Sequence, residues 1–450
     1  MNILILNGSP AGDDSITLQT LRYIQKLFPG HEWTQLHVAR KWKALEKDFS
    51  EAREKLQKAE LLVFSYPVYT FLAPAQLHRF IALMKENGPD LRGKYATQLS
   101  TSKHFYDVTA HEYIRLNCED LGLKYLRGLS ADMEDLLTEK GRGEARAFFA
   151  RILWAMERGI DETLPRTEAP FAPVPATLPP REAAKDNPKE VVVVADRGPE
   201  DKALAAMVER FRKVCTSPCR VVNIRDFAFA GGCLGCFRCA ASGQCFYTDG
   251  FDKLLREEIQ RADATVYAFT VRDHSMGCQF KFYDDRQFCN GHRTVTMGKP
   301  VGYLVDGPVS GEPNLRMLLE ARAQVGGNHL SWIAGNEGDT DGEIDRLAAE
   351  LDYDLHSGYK ESGNFYGVGG MKIFRDLIYT MQGLMREDHR FYKKHGFYKN
   401  FPQRHRGKIA AMYLVGGLMN SPKLSKKLGS NMIKGMLMPY ENVLKKVKPE

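Results

Sequence analysis

The chain opens on a short apolar run, NILILN, that ends in Gly-Ser-Pro and passes into ITLQTLRYIQKLF, where apolar residues recur every three to four positions. That spacing places them on one face of a helix, so the order is strand, loop, helix. A helical stretch at about 46–58 then leads into the apolar strand LLVFSYPVY at 61–69, followed by the helix AQLHRFIALMKENG. A further strand, YATQLST at 95–101, the helix AHEYIRLNCEDLG and a short strand near 124 continue the alternation. Strands that alternate with helices predict a parallel sheet covered on both faces. The functional loops then belong at the carboxyl ends of the strands.

Residues 161–189 hold seven of the 21 prolines and show no hydrophobic period, which predicts an extended, semi-rigid linker. After it the same grammar restarts: strand EVVVVAD, helix DKALAAMVERFRKV, strand CRVVNI, a cysteine-rich loop, helix GFDKLLREEIQRA and strand ATVYAFTV. The strand KPVGYLVDG and the helix EPNLRMLLEARAQVG follow, so a duplicated domain type is the economical reading. Beyond about residue 362 the strand pattern stops, and two segments rich in Met, Leu and Lys read as helices. The expected organisation is a first α/β domain at 1–160, a linker at 161–189, a second α/β domain at 190–362 and a helical, basic extension at 363–450.

A length of 450 residues suits two cores better than one, and 43% hydrophobic with 26% charged residues is an ordinary globular composition. No stretch of 18 or more uninterrupted apolar residues is present, and the first residues lack the pattern of a secretion signal, so a cytoplasmic protein is expected. The net charge of +7 is modest and gathers after residue 370. Without a nucleic-acid motif it reads as a solvated face, with contact to a membrane surface or an acidic partner the lesser alternative.

Candidate chemistry lies in two places. At the first strand-to-helix turn, Asn7-Gly8-Ser9-Pro10 runs into Ser15-Ile16-Thr17, and loop NH groups with the hydroxyls of Ser9, Ser15 and Thr17 can converge on a phosphate. Small polar residues also make ordinary helix caps. Farther on, Ser65-Tyr66-Pro67-Val68-Tyr69 precedes Ala73-Pro74-Ala75-Gln76-Leu77 and would set aromatic and backbone groups beside a flat apolar ligand. In combination these segments resemble the NADPH-dependent FMN reductase and iron-sulfur flavoprotein group, a branch of the flavodoxin-like fold, over most of residues 1–135.

The resemblance implies that Ser9, Ser15 and Thr17 hold an FMN phosphate and that Pro67, Val68 and Tyr69 line the isoalloxazine, with Thr101 and Ser102 approaching from a third loop. Tyr69 and His104 are its candidates for positioning or proton supply. The family often carries Arg or Lys after Gly-Ser-Pro, where this chain has Ala11, with Asp13 and Asp14 close by. The fold it implies is two tandem flavodoxin-like, doubly wound parallel sheets with a helical C-terminal extension.

The second motif is Cys233-x2-Cys236-x2-Cys239-x5-Cys245, with Gly231, Gly232, Gly235 and Gly243 giving the loop freedom to fold tightly. Four thiolates so crowded suit an iron-sulfur core, although zinc and plain thiols stay open at this stage. The spacing resembles the compact motif that holds a [4Fe-4S] cluster in iron-sulfur flavoproteins. Cys278 and Cys289 read as ordinary buried thiols. In the second half, Asp196-Arg197-Gly198-Pro199-Glu200-Asp201 lacks the hydroxyls of the first, so a second FMN is not expected.

The resulting expectation is an NAD(P)H-dependent flavin oxidoreductase or electron-transfer protein with FMN in the first domain and the cluster in the second. Its partners would be small-molecule or protein electron donors and acceptors, with a homo-oligomer also open. The competing reading is a non-catalytic, zinc-stabilised interaction protein whose two domains have lost their cofactors.

Overall fold

A computed structural model describes residues 1–164, 171–399 and 406–419. Residues Met1–Phe391 form one compact unit and Tyr392–Glu450 a second. In the first half, strands β1 (Asn2–Asn7), β2 (Glu32–Leu36), β3 (Leu61–Pro67), β4 (Tyr95–Ser102) and β5 (Lys124–Tyr125) pair in parallel in the order β2-β1-β3-β4-β5. A sixth strand, β6 (Leu129–Asp132), joins β4 beyond β5. Helices α1 (Ile16–Leu27), α2 (Val38–Lys47), α3 (Ser50–Lys58), α4 (Ala75–Asn87), α5 (Asp107–Asp120) and α6 (Glu139–Glu157) cover its faces.

The second half repeats the plan with β7 (Val191–Ala195), β8 (Cys219–Asn223), β9 (Ala264–Thr270), β10 (Pro300–Asp306) and β11 (His329–Gly335), ordered β8-β7-β9-β10-β11. Its helices are α7 (Lys202–Val214), α8 (Arg238–Ser242), α9 (Phe251–Lys253), α10 (Gly277–Arg286), α11 (Pro313–Gly326) and α12 (Thr340–Ser357). Counted within each half, both sheets have the order 2-1-3-4-5, which is the flavodoxin-like order with its switch point between the first and third strands. The α/β, doubly wound fold class read from the sequence is therefore what the chain adopts, twice.

After the second half come α13 (Phe365–Thr380) and α14 (Arg386–Lys394), and the second unit holds α15 (Arg406–Met419). The basic segments expected beyond residue 419 lie outside the described residues, as do 165–170 of the linker. The rest of the linker is tied to the second half: Val174 N donates to Asn336 O at 2.9 Å, and Arg210 donates to Thr177 O at 2.6 Å. Among the described residues, no helix is long and apolar enough to cross a membrane.

The two halves share a core. Leu77, Phe80 and Ile81 of α4 belong to the same buried cluster as Phe280 and Tyr283 of α10. Polar contacts pin the junction: His274 bridges Asp120 of the first half and Glu312 of the second at 2.8 Å each, and Asn314 donates to Thr109 O at 3.1 Å. Elements absent from the sequence reading have identifiable causes. The edge strand β2 is half-exposed and short, and α6 begins across Gly141 and Gly143, which lower helix propensity. The expected single helix over GFDKLLREEIQRA becomes a π-helix at Leu254–Ile259, and its Arg256 reaches back to the cysteine loop.

Candidate functional site

Every loop singled out for chemistry opens onto one cavity of about 370 Å³. Its volume falls within the ~300–1,000 Å³ typical of small-molecule sites. The first half contributes Ser9, Ser15 and Thr17 from the β1–α1 turn, Pro67, Val68 and Tyr69 after β3, and Thr101 and Ser102 at the end of β4. The second half contributes Cys233, Cys236, Cys239 and Cys245, and α13 adds Phe374. His104 does not line the cavity. Its ring bonds Asp107 at 2.9 Å and its side chain is 54% exposed, so its expected place beside a ligand is not where the fold puts it.

The β1–α1 turn is organised around its hydroxyls. Ser9 Oγ accepts from Ala11 N at 3.3 Å, and Ser15 Oγ caps α1 by accepting from Leu18 N at 3.5 Å. A hydroxyl whose oxygen accepts a loop bond keeps its own hydrogen to donate, which is what an anion at a helix N-terminus requires. Of the two nearby acids, Asp13 is turned outward and paired with Arg22 at 2.7 Å, whereas Asp14 stays on the cavity wall. Among the described residues Thr101 Oγ1 is buried without a hydrogen-bond partner, and a polar atom of a ligand would satisfy it.

After β3 the backbone makes a tight two-residue turn: Tyr69 and Leu72 exchange both backbone bonds, at 2.8 and 3.0 Å. Thr70 and Phe71 between them have φ of +43° and +68°, the left-handed region that residues with a Cβ avoid. The second half holds this turn. Asp285 of α10 accepts from Thr70 Oγ1 and from Ala75 N, at 2.8 Å each, and Lys281 donates to Tyr69 O at 2.7 Å and to Asp285 itself. Lys281 and Asp285 are both fully buried, so each needs the other.

The cysteine loop lies against that turn. Gly235 has φ of +64°, and a Cβ there would collide with the Tyr69 hydroxyl. Gly232 sits against Gln76 in the same way, with a Cβ 2.7 Å from Gln76 Oε1. These two glycines therefore serve close approach between the halves as well as loop flexibility. Arginines hold the rest of the loop: Arg286 donates to Gly231 O at 2.9 Å and stacks over Tyr247 at 4.3 Å, Arg256 donates to Gly243 O at 2.9 Å, and Arg293 donates to Cys239 O at 3.3 Å. Asp388, fully buried, fixes Arg293 at 3.0 Å and His292 at 2.9 Å.

Burial pushes the Cys233 thiol well up and that of Cys239 to about 11. Both stay protonated at neutral pH unless a metal supplies positive charge. Tyr69 is also raised, first by burial and then by Cys233, Asp285 and Cys236, and remains a neutral phenol. Among the described residues, no three His, Cys, Asp or Glu side chains are arranged to hold a metal ion. Among the described residues, Arg286 Nε, buried on the cavity wall, has no hydrogen-bond partner.

Sequence reasoning found the loops and missed their supports. Nothing in the local sequence marks Lys281, Asp285, Arg286 or Asp388 as supports, and the role of Lys281 and Asp285 comes only with the packing of α10 on α4.

The description NADPH-dependent FMN reductase matches residues 1–128. An iron-sulfur flavoprotein from Archaeoglobus fulgidus is 28% identical over 174 residues, covering 37% of this chain and 79% of that protein. Among solved structures, an FMN-dependent NADH-azoreductase from Bacillus anthracis aligns at 15% identity over 34% of this chain and 98% of its own, with a TM-score of 0.28. An NAD(P)H:quinone oxidoreductase from Methanothermobacter marburgensis aligns at 12% identity over 40% and 100%, with a TM-score of 0.31. The fold class rests instead on the strand order of the two sheets. Residues 1–128 thus match the NADPH-dependent FMN reductase family model, and this match supports a flavin-linked NAD(P)H oxidoreductase over a non-catalytic role.

Proposed function

We propose that the chain is an NAD(P)H-dependent flavin oxidoreductase or electron-transfer protein in which the first half would hold FMN and Cys233, Cys236, Cys239 and Cys245 of the second would hold a [4Fe-4S] cluster. The observation that carries this reading is the shared wall: the loops suited to the flavin and all four thiols line the same cavity. When bound, the flavin supplies exchange between hydride and single-electron chemistry, and the cluster supplies a one-electron site.

The chain's own residues would act as follows. The O–H groups of Ser9, Ser15 and Thr17 and the N-terminus of α1 bind the phosphate. Pro67, Val68 and Tyr69, with Thr101 and Ser102, orient the ring system, and the buried Thr101 hydroxyl gains a partner. Tyr69, a neutral phenol pressed against Gly235, separates the flavin loop from the cysteine loop and excludes water between them. Arg256, Arg286 and Arg293 set positive charge around an anionic cluster, and the unmet Arg286 Nε is a donor for its sulfurs. No protein nucleophile is needed for hydride transfer, and no residue is assigned to one.

Anaerobic purification with absorbance, metal and sulfide analysis tests the reading. The expected result is one FMN and about four irons with about four sulfides per chain, together with NAD(P)H oxidation by a flavin or quinone acceptor. A colourless protein containing zinc would sink it.

A further inference from the structure

A second opening lies on the other side of the phosphate-binding turn. It is a groove of about 480 Å³ between α2, that turn and the start of the cysteine loop. Ala11, Asp14, Leu234 and Tyr247 belong to the walls of both the groove and the main cavity, so the two openings adjoin. The groove is a product of the duplication: its floor is Ala39, Arg40, Trp42 and Lys43 of the first half and Ala230 and Gly231 of the second, joined by Lys43 donating to Ala230 O at 3.1 Å.

Three observations say what it takes. Arg40 is exposed, and among the described residues its guanidinium has no ion pair or side-chain hydrogen bond. It lies along the phosphate turn, where a Cβ on Gly12 would stand 2.7 Å from Arg40 Cδ and 2.8 Å from Nε. Gln76, only 2% exposed, lines the groove, and among the described residues its Oε1 has no hydrogen-bond partner, so it is an acceptor suited to a hydroxyl or amine. The charges facing the groove are Arg40 and Lys43 against Asp14, so its balance is positive.

We propose that this groove binds the adenosine end of the dinucleotide donor, with Arg40 pairing with a 2′-phosphate and Gln76 accepting from the ribose or the adenine amine. This rests on the reading of the main cavity as the flavin site, because the adjoining walls then set Arg40 beside it. Arg40 would then select phosphorylated over unphosphorylated donors, since a guanidinium matches a phosphate by paired charged hydrogen bonds.

The test is calorimetric titration of the purified full chain with adenosine 2′,5′-bisphosphate and with adenosine 5′-monophosphate, FMN content being measured separately on each preparation. Wild type is expected to bind the bisphosphate about ten-fold more tightly or better. Arg40→Ala should erase that difference with FMN content unchanged, and Arg40→Lys should restore part of it. Equal affinity of wild type for the two nucleotides, or discrimination that survives in Arg40→Ala, would overturn the assignment. So would a loss of FMN in Arg40→Ala, which would place the guanidinium on the flavin phosphate. Absence of flavin from wild type would count against the main-cavity reading alone, because nucleotide binding is read without it.

Discussion

Each sheet is followed, after its third strand, by the same left-handed two-residue turn. In the first half it is Tyr69-Thr70-Phe71-Leu72, and in the second Arg272-Asp273-His274-Ser275, where Asp273 and His274 have φ of +52° and +60°. Each turn is braced by a carboxylate from the opposite half: Asp285 on Thr70, and Asp120 on His274. The scaffold is symmetric, and the residue that leads each turn is not. Tyr69 faces a cavity, whereas Arg272 reaches Asp201 at 2.5 Å, and Arg225 ties Asp196, Glu200 and Asp201 together beside it. Where the first half carries the hydroxyls of Ser9, Ser15 and Thr17, the second has filled the equivalent turn with its own ion pairs.

A second asymmetry completes the picture. Between the second and third strands the first half builds α2 and α3, while the second half spends the same stretch on the cysteine loop. That loop packs across the junction onto Tyr69 and Gln76. The repeated fold thus leaves the second half supplying a wall of the cavity that the loops of the first half open onto.

The comparison can be broken in several ways. The largest effect is expected from Cys236→Ser, which should remove nearly all iron while leaving FMN bound; unchanged iron per chain would remove that residue from the ligand set. Asp285→Ala strands the buried Lys281 and releases the Thr70–Phe71 turn. A loss of about 3 kcal/mol or more in urea unfolding is expected, with weakened FMN binding. Arg272→Ala, by contrast, touches a partly exposed pair at the turn of the second half and should cost about 1 kcal/mol or less, with FMN affinity unchanged. Equal effects of these two variants would erase the distinction between the halves.

Gly235→Ala meets both a positive φ and the Tyr69 hydroxyl, and about 1–3 kcal/mol of destabilisation is expected. Phe substituted for Tyr69 in the same background should recover part of it, as the colliding atom would be gone. The smallest effect concerns pH. Burial lowers the His274 pKa, but hydrogen bonds to Asp120 and Glu312 outweigh it and the net shift is upward from 6.5. The pairing therefore stabilises the folded chain fully below about pH 6.5 and is lost as pH rises through the higher folded value. Unfolding midpoints measured from pH 6 to 9 should decline less in His274→Gln than in wild type.

How much of this was legible in the sequence follows from the range of the interactions. Most strands and helices of both halves announce themselves by period, although β2, α6, β11 and α12 do not, and the β1–α1 turn, Tyr69 and the four cysteines stand out by residue type and spacing. The strand pattern even shows the duplication. What periodicity cannot carry is contact between segments some 200 residues apart: Asp285 on Thr70, separated by 215 positions, and the seating of Gly235 on Tyr69. His104 failed for a local reason, since a left-handed φ of +55° and a bond to Asp107 turn it away from the cavity.

The central claim is that two halves build one redox site. Anaerobic titration of the iron-loaded protein with NADPH, followed by low-temperature electron paramagnetic resonance, tests it most directly. Wild type should develop the signal of a reduced cluster, and protein stripped of FMN should not. A cluster that stays oxidised while the bound flavin bleaches would contradict the account.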